Sequence, residues 1–329
     1  MTKSDQPTNN PNLRAPNLAS TICVVAALPY AANRGLFRWS SAACFVLGAV
    51  VLGCASQPEY TTDEDQGSTH ALIEIQRSRT VSSTDESADD QPVRGEALAG
   101  FMQVPADVDV GSARQLIGLE LALPDMSQCV TRTRAGDADQ PVATSERLEL
   151  LDVGDVSLVA DGKSTTLAPM AFPTVTDLIS GVLYTTRDLS AEPLPAGVQY
   201  SVRTAGGAVS AVDLNGSAPS ELAGVTVGGV PLADVTRISP SAPIDLTWAV
   251  GDAGDVVYVE LSADGSDPAV CAFQDDFGVG SVPAGAFAGS GPGRFSLHRV
   301  RAREFASDDI ESAELRFDFE LAAVVSYGG

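Results

Sequence analysis

Apolar and polar side chains alternate through much of the second half of this sequence. Leu315, Phe317, Phe319 and Leu321 interleave with Glu314, Arg316, Asp318 and Glu320. Successive side chains of an extended strand point to opposite faces. A period of two therefore puts four apolar groups on one face and four charges on the other. A helix would spread both sets around its circumference. The alternation recurs at Ile244, Leu246, Trp248 and Val250, and at Val257, Val259 and Leu261. It appears again at Val198, Tyr200 and Val202, and at Val156 and Leu158. Asp161-Gly162 and Asp264-Gly265 follow two of these runs, and such pairs suit tight turns that need positive φ. Arg114–Leu123 is ambiguous: Leu119, Leu121 and Leu123 alternate, while Leu116 and Leu123 share a helical face.

Short alternating strands with frequent Gly and Pro predict an all-β chain of antiparallel β-sandwich sheets. About 230 residues after Gly100 exceed one small sandwich and suit two. The Ser/Pro/Gly-rich stretch 218–223 divides them into a first module over 100–222 and a second over 223–329. Trp248 on its strand, followed by the Asp255–Leu261 strand, resembles immunoglobulin or fibronectin type III modules over residues 224–329. The intra-domain cysteine pair of antibody-like domains is missing, since this half holds only Cys271.

Upstream the pattern changes. An apolar run of twelve residues, Ala42–Gly53, ends in Val51-Leu52-Gly53-Cys54 and gives way to polar sequence. It is too short for a bilayer span, which needs about 20 residues. Arg34 and Arg38 ahead of it complete the pattern of a cleaved signal peptide over residues 1–53. The leader before it is long, so an internal start at Leu36 is an alternative reading. Val51–Cys54 resembles the lipobox of bacterial lipoproteins. That resemblance implies cleavage before Cys54, a lipid (palmitate-bearing) modification on it, and a membrane-anchored mature chain. Ala55 after it lacks the retention Asp of inner-membrane lipoproteins, which implies the outer membrane. Residues 100–329 are also similar to uncharacterised delta-proteobacterial lipoproteins, on Asp245–Trp248, Cys271–Phe273, Gly280–Pro283 and Cys129 after Leu123-Pro124. That group implies compartment and fold, and no activity.

The net charge is −23, and all 43 acidic residues but Asp5 follow Cys54, whereas Lys3, Arg14, Arg34 and Arg38 precede it. Such a surface excludes nucleic acid and anionic lipid headgroups as natural partners. Residues 54–99 are rich in Ser, Thr, Asp, Glu and Gln, and read as a lipid anchor with a disordered acidic linker. Leu72–Ile75 is the one stretch there that reads as a short strand or helical turn.

Cys129 and Cys271 remain once the signal is removed and Cys54 is lipidated, an even count in an oxidising compartment. They are expected to pair; two separately packed thiols are the alternative. His70 falls in the linker and His298 on an apparently exposed strand, so no Ser/His/Asp set suggests itself. No Gly-x-Ser-x-Gly elbow exists. Gly162-Lys163-Ser164-Thr165 mimics a phosphate-binding loop, but Ser157 stands where the earlier Gly belongs, so no nucleotide is expected. Asp264, Asp267, Asp275 and Asp276 sit in loops read as lying at one sandwich end. They are weak Ca²⁺ candidates, without a full Asp-x-Asp-x-Asp-Gly pattern. The expectation is a non-enzymatic envelope lipoprotein without cofactor, structural or binding a protein partner. The alternative is a carbohydrate- or Ca²⁺-dependent binding module.

Overall fold

The computed structural model describes residues 67–82, 92–132, 148–175, 179–186 and 194–328. The signal segment, Cys54 and the chain up to residue 66 lie outside them. The described chain opens with a long hairpin, β1 (Ser68–Val81) and β2 (Arg94–Val104), and then helix α1 (Val110–Leu116). Next come β3 (Cys129–Thr131), β4 (Leu148–Leu150), β5 (Val156–Ala160), β6 (Lys163–Val175), β7 (Ile179–Thr185), β8 (Gln199–Thr204) and β9 (Asp213–Ser217). A group of short strands follows: β10 (Thr226–Val227), β11 (Val230–Pro231), β12 (Arg237–Ile238) and β13 (Ile244–Thr247). Then come β14 (Val256–Ala263), β15 (Ala269–Gln274) and β16 (Val279–Val282). A second long hairpin, β17 (Gly291–Ser307) and β18 (Ile310–Tyr327), completes the fold.

The expected all-β class and sandwich-like arrangement are what the structure shows. One sheet path runs β3-β15-β14-β17-β18-β1-β2-β4-β7-β6-β5-β8-β9, and a separate sheet runs β11-β10-β13-β16. β6 turns the path back on itself. Its Lys163–Leu167 part pairs with β5 and its part from Ala168 pairs with β7. Two hydrophobic cores result. One joins Ile73, Ile75 and Phe101 to Val156, Leu158, Tyr200 and Val202. The other joins Val257, Val259, Phe273, Phe295 and Leu297 to Leu246 and Trp248 of the small sheet. Both lie against the same odd-numbered face of β18: Leu315, Phe317 and Phe319 serve the first core, and Leu321, Ala323 and Val325 the second.

This differs from two successive modules. β18 walls both cores, and the first core draws on residues from 71 to 319. The sheet is also not purely antiparallel, because β1 and β18 pair in parallel from His70–Ser312 to Val81–Ala323. The linker expectation is corrected from residue 68 on: Ala71, Leu72, Ile73 and Ile75 are fully buried in β1, and β2 is its hairpin partner. Polar composition misled there because β1 is central and its apolar residues are concentrated in 71–75.

The charged face of β18 is corrected as well. Glu314, Arg316 and Asp318 are buried. α1 and the segment after it cover this side with Ile117, Leu119, Leu121 and Leu123. The charges satisfy one another. Arg114 reaches Glu314 at 2.7 Å, Arg316 donates to Glu314 at 2.7 Å, and Arg316 also donates to the Leu119 carbonyl at 3.0 Å. The ambiguous 114–123 stretch resolves as the end of α1 followed by non-helical chain, with the Asp109 carboxylate capping the helix at Ser112 N.

Candidate functional site

Three features beyond the cores carry chemistry. The first is a polar cleft of about 400 Å³ on the even-numbered face, crossing β14, β17, β18, β1 and β2. Register brings Tyr258, His298, Glu320, Ser78 and Arg94 into one row across these strands. Tyr258 stacks on His298 with ring centroids 4.2 Å apart and donates its hydroxyl to Asp318 at 2.9 Å. His298 Nδ1 lies 2.8 Å from Asp318, and Nε2 lies 3.1 Å from Ser296 Oγ and 3.7 Å from Glu320. Sequence spacing alone did not reveal this Ser–His–Asp line, because Asp318 meets His298 only through the β17–β18 register. His298 is correspondingly no exposed strand residue.

Electrostatics decide what this line can do. Burial disfavours the imidazolium, but the Asp318 carboxylate, with Glu320 and Glu260 behind it, more than offsets that and raises the His298 pKa above 6.5. Ser296 is 3% exposed, which leaves little room for a substrate carbonyl. Asp318 and Glu320 flank the ring and favour its imidazolium form. Tyr258, lying against the His298 ring, is buried and offers no open platform to a sugar.

The second feature is an anchor under one end of the second core. Asp275 is fully buried in the turn after β15. The Trp248 indole donates to its Oδ1 at 2.8 Å, and Arg299 Nη2 donates to the same atom at 2.9 Å. Arg299 also donates to the Ser220 hydroxyl at 2.9 Å and the Ala249 carbonyl at 2.6 Å. Arg301 beside it holds Asp255 at 2.6 Å and Asp252 at 2.5 Å. On β1, Arg77 pairs with Glu221. These arginines occupy the odd-numbered face between the two apolar cores, where 220–221 crosses the long strands.

The third feature lies directly outside this anchor. Val250, Phe277 and Val279 are 58%, 65% and 56% exposed. Thr247 and Val279 are register partners and Gly278 lies against Val250, which brings the three residues to the same end of the small sheet. The patch borders β16, the last strand of the small sheet.

Cys54 lies outside the described residues. Cys129 and Cys271 are register partners on β3 and β15, with their sulfurs at disulfide distance, 2.08 Å. The Ca²⁺ candidates are not brought together. Asp264 and Asp267 occupy the β14–β15 turn, whereas Asp275 and Asp276 follow β15, so the full length of β15 separates the pairs. Asp275 is committed to Arg299 and Trp248. Among the described residues no group of three or more acidic, His or Cys side chains is arranged to hold a metal ion. His70 is buried in β1 between the hydroxyls of Ser68 and Ser312 at 2.6 and 2.7 Å, which corrects its expected place in a linker. Gly162 forms the β5–β6 turn with Asp161, and Lys163–Thr165 begin β6 with no helix after them.

No known protein family matches the chain, and no curated protein matches it. Among solved structures it is similar to the Fcho1 mu homology domain of Danio rerio with bound Eps15 peptide. That match has 11% identity and a TM-score of 0.24, and covers 80% of this chain and 98% of that one. The yeast delta-COP-I mu-homology domain gives 9% identity and a TM-score of 0.19 over the same shares. A Ca²⁺-stabilised ice-binding adhesin of an Antarctic bacterium gives 14% identity and a TM-score of 0.16, covering 80% of this chain and 66% of that one.

Proposed function

We propose that this chain is an exported lipoprotein, tethered to the outer membrane of a bacterial envelope through Cys54, and that it binds a protein partner without catalysing a reaction. The observation that carries the binding role is the apolar patch of Val250, Phe277 and Val279, fixed from beneath by the buried Asp275–Arg299–Trp248 cluster. Three large apolar side chains, each more than half exposed and at one end of the small sheet, offer a contact surface for a partner. The rigid support means little ordering entropy is lost when a partner docks. Export is supported by the Val51–Cys54 pattern and by a cysteine pair at disulfide distance, which suits an oxidising compartment.

Two measurements test the reading. Cys54→Ser is expected to move the protein from the membrane fraction to the soluble envelope fraction; unchanged membrane association overturns the anchor. Crosslinking in intact cells is expected to give a discrete adduct that Phe277→Asp abolishes. An adduct pattern unaffected by that change removes the patch as a binding surface.

A further inference from the structure

Resting on the protein-binding reading above, we infer that the partner docks by adding a strand to the open edge of β16, and that it is an extended segment alternating apolar with basic side chains. Among the described residues β16 pairs with β13 on one side and ends its sheet on the other. The Trp248 N–H donates to the Gly278 carbonyl at 3.0 Å. Hydrogen-bonded pairs alternate along an antiparallel ladder, so Leu246–Gly280 and Ile244–Val282 make the remaining bonds to β13. The Gly228 N–H donates to the Asp245 carbonyl, which confirms the phase: Asp245 turns its backbone toward β10, and its register partner Ser281 turns away from β13. The backbone N–H and C=O groups of Val279 and Ser281 therefore point outward along the edge. Such a row is a template for an incoming strand.

The edge is four residues long, too short to hold a peptide by backbone bonds alone. Val250, Phe277 and Val279 at its end supply the apolar anchor. The sign of the partner follows from the rim. Asp276 adjoins Phe277, and Asp245 accepts from the Ser281 hydroxyl; both carboxylates are exposed. A second copy of this chain would bring the same two carboxylates together, and the net charge of −23 repels it further. A segment carrying Lys or Arg between its apolar residues meets both the patch and the rim.

The test uses the full chain and four labelled heptapeptides, read by fluorescence anisotropy. One alternates Val and Phe with Lys, the second replaces Lys by Glu, and the third replaces Val and Phe by Ser. The fourth is the first peptide with its ladder-facing amides N-methylated. The Lys/Val/Phe peptide is expected to bind at least about tenfold tighter than each of the others. Ser281→Pro removes an outward N–H without touching the bonds to β13 and is expected to weaken that peptide by a similar factor. If Phe277→Asp abolishes binding while Ser281→Pro and N-methylation leave it unchanged, strand addition is overturned and the apolar patch survives. If the Glu peptide binds as well as the Lys peptide, the charge assignment is overturned. If Phe277→Asp has no effect on any peptide, the patch falls too, and the parent reading with it. Concentration-dependent self-association abolished by Ser281→Pro would overturn the heterologous partner in favour of a second copy.

Discussion

Asp275 and Arg299 form an ion pair shielded from solvent, with Arg299 Nε 2.6 Å from Asp275 Oδ2 and Nη2 donating to Oδ1 at 2.9 Å. The Nε contact is close but poorly aligned, so the pair relies on the Nη2 bond, the Trp248 indole and the backbone carbonyls around Arg299. Removing one partner strands the other charge in the interior, which costs about 3–5 kcal/mol. Asp275→Ala and Arg299→Leu are each expected to lower the urea-denaturation free energy by that order. The double variant should lose clearly less than the two losses combined. Additive losses would show that the two side chains are not coupled.

The Cys129–Cys271 crosslink closes a loop with a sequence separation of 142. The chain-entropy account assigns such a loop about 5 kcal/mol at most. A Cys129→Ser, Cys271→Ser variant is expected to denature at markedly lower urea than the oxidised protein. Free-thiol labelling of the native protein should find neither cysteine reactive. Two labelled thiols would show the bond is absent.

The two histidines carry opposite pH signatures. His298 has its folded pKa raised above 6.5, so its stabilisation is complete below 6.5 and is lost as pH rises through the folded value. His70 has its pKa lowered, chiefly by burial, so its contribution is complete above 6.5 and is lost as pH falls through its folded value. The stability difference between wild type and His298→Asn isolates the first effect. It should shrink as pH rises from 6.5 through the folded value. A flat difference would mean that the Asp318–His298 contact does not bias protonation.

Gly181 pairs with Leu150 in parallel register at φ 123°. A Cβ at this position would lie 1.8 Å from the Leu150 carbonyl oxygen. Gly181→Ala is expected to cost at least about 2 kcal/mol, read from the thermal or urea midpoint. Ala at Gly162, where nothing crowds the Cβ, pays only for its positive φ and should cost less.

Ser296 shares a hydrogen-bonded line with His298 and Asp318 yet is 3% exposed. A fluorophosphonate probe is expected to leave the native protein unlabelled. Labelling at Ser296 that disappears in Ser296→Ala would reinstate a nucleophilic role.

Period-two alternation made the strands around Trp248, Val257 and Leu315 legible, because each has one face against a core. The Asp161-Gly162 turn was legible too, since both residues take positive φ. β1 was not. Its residues 70–75 are buried without a break, the mark of a strand covered on both faces, yet His70 and Glu74 interrupt the apolar pattern and polar neighbours flank it. The burial of Glu314, Arg316 and Asp318 was equally hidden. Whether a charged face meets water or a helix depends on what packs across it, and Arg114 lies 200 residues from Glu314 in sequence. Of the candidate side chains, the cysteine pair was readable from parity and compartment. The patch at Val250, Phe277 and Val279 was not, because it joins two separate loops.

The parallel pairing of β1 with β18 sets the order in which the chain can fold. His70 must wait for Ser312, 242 positions later, before the middle of the sheet can zip. A nascent chain halted before Ile310 lacks one wall of each core and has no finished half to fall back on. Pairings of this span are slow to nucleate. Both cores therefore close together, when β18 reaches β1, and neither can serve as a stable intermediate without the other.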